Sequence, residues 1–180
     1  KISVDSSTLI NKALEIIEAG VLFGLKSDQI EVLIHPESIV HGLVHYRDGS
    51  VLANLSLPDM ISPLAFALGY PNRVNLDSRQ LDLKKISNLT FDKPNLKKFP
   101  GLCFGWKSLD AGGAYPIILN AANEVAVEFF LKNLVSYSNI LDIIKFSLSK
   151  VNAQSPKNIG DSIEIDRITR LKVLKYIKGL

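Results

Sequence analysis

The sequence predicts an α+β protein: a small, mainly antiparallel sheet with packed helices, followed by a C-terminal α-helical, four-helix bundle. Three observations lead there. Apolar residues recur at helical spacing from Leu9 to Val21. β-branched runs then flank a turn signal at Asp48-Gly49. From Leu102 onward the apolar pattern is helical again, in four segments. Of 180 residues, 47% are hydrophobic and 22% charged, which is enough apolar material for a packed core and too little charge for a disordered polyelectrolyte.

Lys1–Asp5 reads as a strand with no lead-in, as if the chain began inside a longer protein. Ser6, Ser7 and Thr8 then read as a helix start with a hydroxyl for the N-cap. Leu9, Ile10, Ala13, Leu14, Ile16, Ile17 and Val21 keep to one broad apolar arc, and Gly24 is the expected stop. The period then changes. "IEVLIH", "SIVHGLVHY" and "VLANLSL" predict three short strands, with Pro36 between the first two. Gly49 accepts positive φ, so Asp48-Gly49 turns a hairpin. The strands are apolar on both faces, which calls for helices on one side and another subunit on the other.

"PDMISPLAFALGYP" predicts a short helix with Pro63 in its first turn. After Pro71 the chain turns polar and irregular up to about Pro100, where "LDL" and "LTF" are either strand pieces or apolar anchors. This divides the chain into residues 1–74, a connector over 75–100, and a helical domain over 101–180. Its helices are "LCFGWKSLDAGG", ending at Gly112-Gly113, then "YPIILNAANEVAVEFFLKN". "YSNILDIIKFSLSKV" follows from an N-cap at Ser138, and "DSIEIDRITRLKVLKYIKGL" starts near Asp161 or Asp166.

The net charge of +3, with no dense Lys/Arg block, argues against a nucleic-acid partner. No apolar run reaches the length of a membrane span, which argues against a membrane partner. A lone Cys103 makes neither a disulfide framework nor a cysteine zinc cluster within one chain, and favours a reducing compartment.

The chemistry is concentrated in "DSSTLINKALEIIE". On a helical wheel of about 100° per residue, Asn11, Glu15 and Glu18 share one stripe, with Thr8 beside it and Lys12 at its edge. This is either the solvated face of a surface helix or one wall of a site. In the second reading, helix amides and hydroxyls attract a phosphate, Lys12 adds a charge, and Glu15 contributes one ligand to a divalent cation.

"KISVDSSTLINKALEIIEA", "QIEVLIHPESIVHGLVHYRDGSVLANLSLPDMISPLAFALGYPNRV" and "LNAANEVAVEFFL", in this order, resemble the C-terminal part of the 1-deoxy-D-xylulose 5-phosphate reductoisomerase family. None of the three would suffice alone. The resemblance implies an NADPH-dependent enzyme of non-mevalonate isoprenoid synthesis that uses Mg²⁺ or Mn²⁺. It converts 1-deoxy-D-xylulose 5-phosphate to 2-C-methyl-D-erythritol 4-phosphate.

The resemblance further implies that residues 1–74 are the second half of the catalytic domain, including a homodimer interface through the sheet. The nucleotide domain and two further acidic metal ligands belong to segments outside this chain. The 180 residues alone are therefore expected to be inactive.

Residue by residue, Ser6, Asn11 and Lys12 match the grip on the substrate phosphate and neighbouring hydroxyls. Glu15 matches a metal ligand, and Lys12, Glu15 and His41 count as catalytic. His41 matches a histidine close to the active site, and is equally read as a satisfied sheet histidine. Pro58 and Met60 match residues lying against the nicotinamide. His35, His45, Asn120, Asn123 and Glu124 read as structural or exposed. The location implied is bacterial cytoplasm or plastid. A reading of a different class is a dimerisation or interaction module without catalysis of its own.

Overall fold

The structure is a computed structural model that describes residues 1–76 and 80–179. Positions 77–79 of the expected connector, and the last residue of the expected closing segment, lie outside the described residues. Among the described residues the helices are α1 (Ile2–Ser7), α2 (Ile10–Phe23), α3 (Ile61–Gly69), α4 (Cys103–Ala111), α5 (Tyr115–Leu131), α6 (Tyr137–Lys150) and α7 (Ile159–Ile177). Two strands, β1 (Val40–His45) and β2 (Val51–Leu55), pair antiparallel. The fold is thus α+β, with the four expected C-terminal helices in place. It divides into two compact units, Lys1–Val32 with Asn95–Leu180, and Leu33–Pro94.

The first unit is helical. α5 packs on both α6 and α7, and α2 packs on α4. Ile10 and Ile17 of α2 share one buried cluster with Leu119, Val127, Ile140, Ile143, Ile144 and Val173. The middle of the apolar arc read from the sequence, Ile10, Ala13, Ile16 and Ile17, is therefore the face that α2 buries, worth about 1.5–3 kcal/mol for each large aliphatic side chain removed from water, whereas Val21 at its far end is exposed. At the α2–α4 crossing the backbones nearly touch. A Cβ at Gly105 would lie 2.5 Å from the Ala13 carbonyl oxygen and 2.8 Å from its Cα.

Several termini differ from the sequence reading. Lys1–Asp5 is no strand: Ile2–Ser7 forms α1, because the Asp5 carboxylate is buried by packing that alternation alone does not reveal. The chain breaks at Thr8-Leu9, where Leu9 takes a left-handed φ of 58°, and α2 starts without a side-chain cap. The Ser7 and Thr8 hydroxyls both donate back to the Val4 carbonyl, at 2.7 and 3.2 Å, and Thr8 Oγ1 accepts only a long 3.4 Å contact from the Ile10 N–H. They satisfy the carbonyls at the end of α1 instead. Gly24 ends α2 at φ 65°, donating to the Gly20 carbonyl, as expected.

α6 is capped by Ser136 rather than Ser138. The Asn139 amide side chain returns to the Ser136 N–H at 2.9 Å, closing a reciprocal cap. α7 begins two residues ahead of Asp161, with Asn158 accepting from the Asp161 N–H at 2.9 Å.

The second unit holds the hairpin. Gly49 has φ 86°, and Asp48 Oδ1 accepts from the Ser50 N–H at 2.9 Å, which builds the expected turn. The third expected strand does not join it. In the "IEVLIH" run, Ile34 makes an isolated antiparallel bridge to Asp92 of the connector. His35 and Glu37 explain the exchange. His35 Nδ1 lies 2.8 Å from the Thr90 carbonyl, and its ring stacks on Phe91 at 4.7 Å. The Thr90 hydroxyl donates to Glu37 at 2.6 Å, a bond that holds the Glu37 carboxyl below its ordinary pKa. "LTF" is therefore an anchor for this run. α3 carries Pro63 in its first turn as expected.

Gly105→Ala should destabilise the protein by about 1–3 kcal/mol, because the added methyl meets backbone that cannot rotate away. Gly42→Ala meets nothing within 4 Å and should stay within about 0.5 kcal/mol of the parent. Thermal and denaturant unfolding of the two variants side by side checks this.

Candidate functional site

The residues expected to carry the chemistry fall in both compact units. Ser6, Asn11, Lys12 and Glu15 belong to the helical unit, and His41, Pro58 and Met60 to the hairpin unit.

On α2, Asn11 and Lys12 converge on one carboxylate. Asn11 Nδ2 donates to Glu15 Oε1 at 2.7 Å, and Lys12 Nζ donates to Oε2 at 2.6 Å. Helical spacing explains the meeting, since residues three and four apart stand one above the other. The Lys12 and Glu15 side chains are each 44% exposed, so as an isolated ion pair they contribute at most about 1 kcal/mol to stability. Glu18 is exposed and joins neither bond. Thr8, placed beside this stripe on the wheel, is buried. The wheel treated 8–18 as one helix, and the break at Leu9 turns Thr8 inward. Ser6 is exposed at the end of α1.

The corner between α1 and α2 is tied to the bundle by two contacts that the sequence reading missed. Asp5, 1% exposed, accepts from Asn123 Nδ2 of α5 at 3.0 Å and pairs with Lys1 Nζ at 2.9 Å. The Ser7 hydroxyl lies 3.0 Å from the Tyr137 hydroxyl at the start of α6. One signal was present: an acidic residue directly before the hydroxyl run. Its role depends on residues more than a hundred positions away. Asn123 and Glu124, read as structural, do hold the bundle. Glu124 meets Arg170 at 2.5 Å, and Arg170 also binds Asp166. These bonds hold the guanidinium's pKa above its ordinary value.

In the hairpin unit, His41 occupies a bulge in β1. Val40 pairs with Leu55 and Gly42 with Asn54, so His41 is the extra residue. Its Nε2 lies 3.3 Å from the Ser56 carbonyl oxygen, and the residue is exposed. Bulges re-aim side chains in this way. Pro58 and Met60 are exposed, Met60 at 66%. His45 is exposed at the end of β1, and the His35 side chain is buried in the anchor described above.

Of the two surface hollows described, one is formed around Leu25–Asp28 with Leu109 and Asp110. The other is formed around Phe130, Asn133–Ser136 and Asn139. Neither is lined by Ser6, Asn11, Lys12 or Glu15. Among the described residues no three His, Cys, Asp or Glu side chains gather to hold a metal ion. Of the residues singled out, Glu15 alone could offer Mg²⁺ or Mn²⁺ a carboxylate, and a complete site would need ligands beyond it. Among the described residues no helix is long and apolar enough to cross a membrane.

Residues 55–172 match the family model described as DXP reductoisomerase C-terminal domain. Residues 1–23 match that of the 1-deoxy-D-xylulose 5-phosphate reductoisomerase C-terminal domain. The 1-deoxy-D-xylulose 5-phosphate reductoisomerases of Burkholderia pseudomallei (strain 668) and Burkholderia mallei (strain SAVP1) are each 48% identical over all 180 residues. The chain spans 45% of the length of each of these relatives.

Among solved structures, the Zymomonas mobilis reductoisomerase in complex with NADPH superposes with a TM-score of 0.95 at 37% identity. That match covers 100% of this chain and 48% of the other. A DOX-P reductoisomerase in complex with NADPH, fosmidomycin and magnesium gives 0.90 at 40% identity, covering 98% of this chain and 46% of the other. The chain belongs to the 1-deoxy-D-xylulose 5-phosphate reductoisomerase family, whose C-terminal part it matches.

Proposed function

We propose that the chain is the C-terminal part of an NADPH- and divalent-metal-dependent reductoisomerase that converts 1-deoxy-D-xylulose 5-phosphate to 2-C-methyl-D-erythritol 4-phosphate. The observation that carries this reading is the convergence of Asn11 and Lys12 on the Glu15 carboxylate. An amide donor, an ammonium and an acid on one helix face are the groups a phosphate and a cation need. A sugar phosphate arriving at this face takes Lys12 and Asn11 as donors, with the Ser6 hydroxyl beside them. That exchange would free the Glu15 carboxylate, the group of this chain that would hold the cation. When bound, the cation supplies Lewis-acid polarisation of the substrate's carbonyl and hydroxyl oxygens, and NADPH supplies the hydride.

The residues of this chain grip and orient. Holding the phosphate far from the reacting carbons spends binding energy on alignment. The resemblance assigns His41, the extra residue of the β1 bulge, to the neighbourhood of the substrate, and Pro58 and Met60 to the nicotinamide. All these roles fall within residues 1–74, the catalytic part. The resemblance draws 75–100 as a connector to a helical part, 101–180, although Lys1–Val32 packs in one compact unit with Asn95–Leu180. The stretch alone is expected not to turn over, because the resemblance places the nucleotide domain and further acidic ligands outside it. The bacterial relatives support a cytoplasmic setting, with plastid as the alternative.

A specific observation favours an additional role in assembly. Val44, Val51 and Leu52 of the hairpin are about half exposed within this chain. A homodimer through this sheet covers them.

Glu15→Gln in the full-length protein should cut kcat at saturating metal by about a hundredfold or more, with little change in thermal midpoint. Near-normal turnover would remove the ligand role. Lys12→Ala should raise the KM for 1-deoxy-D-xylulose 5-phosphate and spare that for NADPH, and an unchanged pair of constants would count against the phosphate grip. For the sheet, sedimentation across a concentration series should give a dimer. A monomer throughout would overturn that assignment.

A further inference from the structure

The corner between α1 and α2 is held from a distance. Leu9, the residue joining the helices, sits at φ 58°, a left-handed conformation disfavoured for a side chain of its size. Such a backbone persists where its surroundings over-determine it. Here the surroundings are specific. Asp5 is 1% exposed and Asn123 is fully buried, and they share a 3.0 Å hydrogen bond between α1 and α5. The Thr8 hydroxyl, also buried, donates to the Asp5 carbonyl at 3.2 Å. Ser7 is tied to Tyr137 at 3.0 Å. Ser6 lies between the two tied residues, and Asn11 and Lys12 follow in the first turn of α2.

We propose that Asn123 and Tyr137 are positioning residues, which act through Asp5, Ser7 and the α1–α2 corner to aim Ser6, Asn11 and Lys12 at the substrate phosphate. This rests on the phosphate-grip reading given above. Neither Asn123 nor Tyr137 touches the substrate in this account. The bundle sets the direction of the α2 first turn, and that direction sets the spacing of the donors. Asn123 suits the task because its amide finds a charged acceptor in a site closed to water. An amide–carboxylate bond fixes direction, whereas an apolar contact in its place would fix only distance.

The test uses the full-length protein. Asp5→Leu combined with Asn123→Leu removes both partners with side chains of the same branching, so stability is largely kept. The KM for 1-deoxy-D-xylulose 5-phosphate should rise about tenfold or more, with the KM for NADPH unchanged and a thermal midpoint close to the parent's. A merely structural pair would leave both constants alone. Unchanged constants, or constants that rise together, overturn the proposal.

Tyr137→Phe, at a ring 45% exposed, keeps the fold and should raise the sugar-phosphate KM several-fold. If the double variant does not fold, this variant decides, and an unchanged KM overturns the proposal. Hydrogen exchange separates this idea from the catalytic reading. Amides of Leu9–Lys12 should exchange about tenfold faster in the variant that decides, while those of Ala121–Val127 hold. Unaltered exchange at the corner overturns the proposal whether or not the parent protein catalyses the reaction. A parent without reductoisomerase activity sinks the catalytic reading instead.

Discussion

A carboxylate shut away from water costs several kcal/mol unless its charge is met, and at Asp5 it is met twice. Lys1 supplies the counter-charge and Asn123 a directed donor. The hydrogen bond joins the start of the chain to the middle of α5, the helix around which α6 and α7 are packed. A hydrogen bond to a charged group contributes about 1.5–3 kcal/mol, and losing it would leave Asp5 with only its Lys1 ion pair and one carboxylate oxygen short of this donor. The N-terminal segment is thereby committed to the helical unit, and the orientation of α2 follows.

α2 then works on both its sides. Ile10, Ala13, Ile16 and Ile17 are buried. On the other side Asn11 and Lys12 meet Glu15 in half-exposed surroundings. Burial of one face holds the other in register, because a helix cannot rotate about its axis without exposing the buried arc. The close crossing at Gly105 adds a second constraint, since only a residue without Cβ lets α4 lie so near Ala13. A polar cluster worth little as a set of surface bonds is thus mounted on a stiff support.

The hairpin unit is built on different physics. Its turn is local: Gly49 and Asp48 suffice to close it. The bulge at His41 interrupts the ladder and sends one side chain out of the regular alternation. Its apolar side chains remain about half exposed at Val44, Val51 and Leu52. The ladder residues therefore present groups outward, whereas α2 buries Ile10, Ala13, Ile16 and Ile17.

Periodicity was enough to place α2, the hairpin and the four C-terminal helices, because each is decided by contacts a few residues apart and by glycine's tolerance of positive φ at Gly24 and Gly49. It was also enough to bring Asn11, Lys12 and Glu15 onto one side of a helix, since their spacing is helical. It did not show that Lys1–Asp5 joins a helix, that Thr8 turns inward, or that "IEVLIH" pairs with the connector instead of the hairpin. Those outcomes turn on Asn123 meeting Asp5, and on Thr90 and Phe91 meeting His35 and Glu37, groups far apart along the chain. Local pattern fixes what an element is. Which buried polar group finds its partner is a property of the packed core, and only tertiary structure decides it.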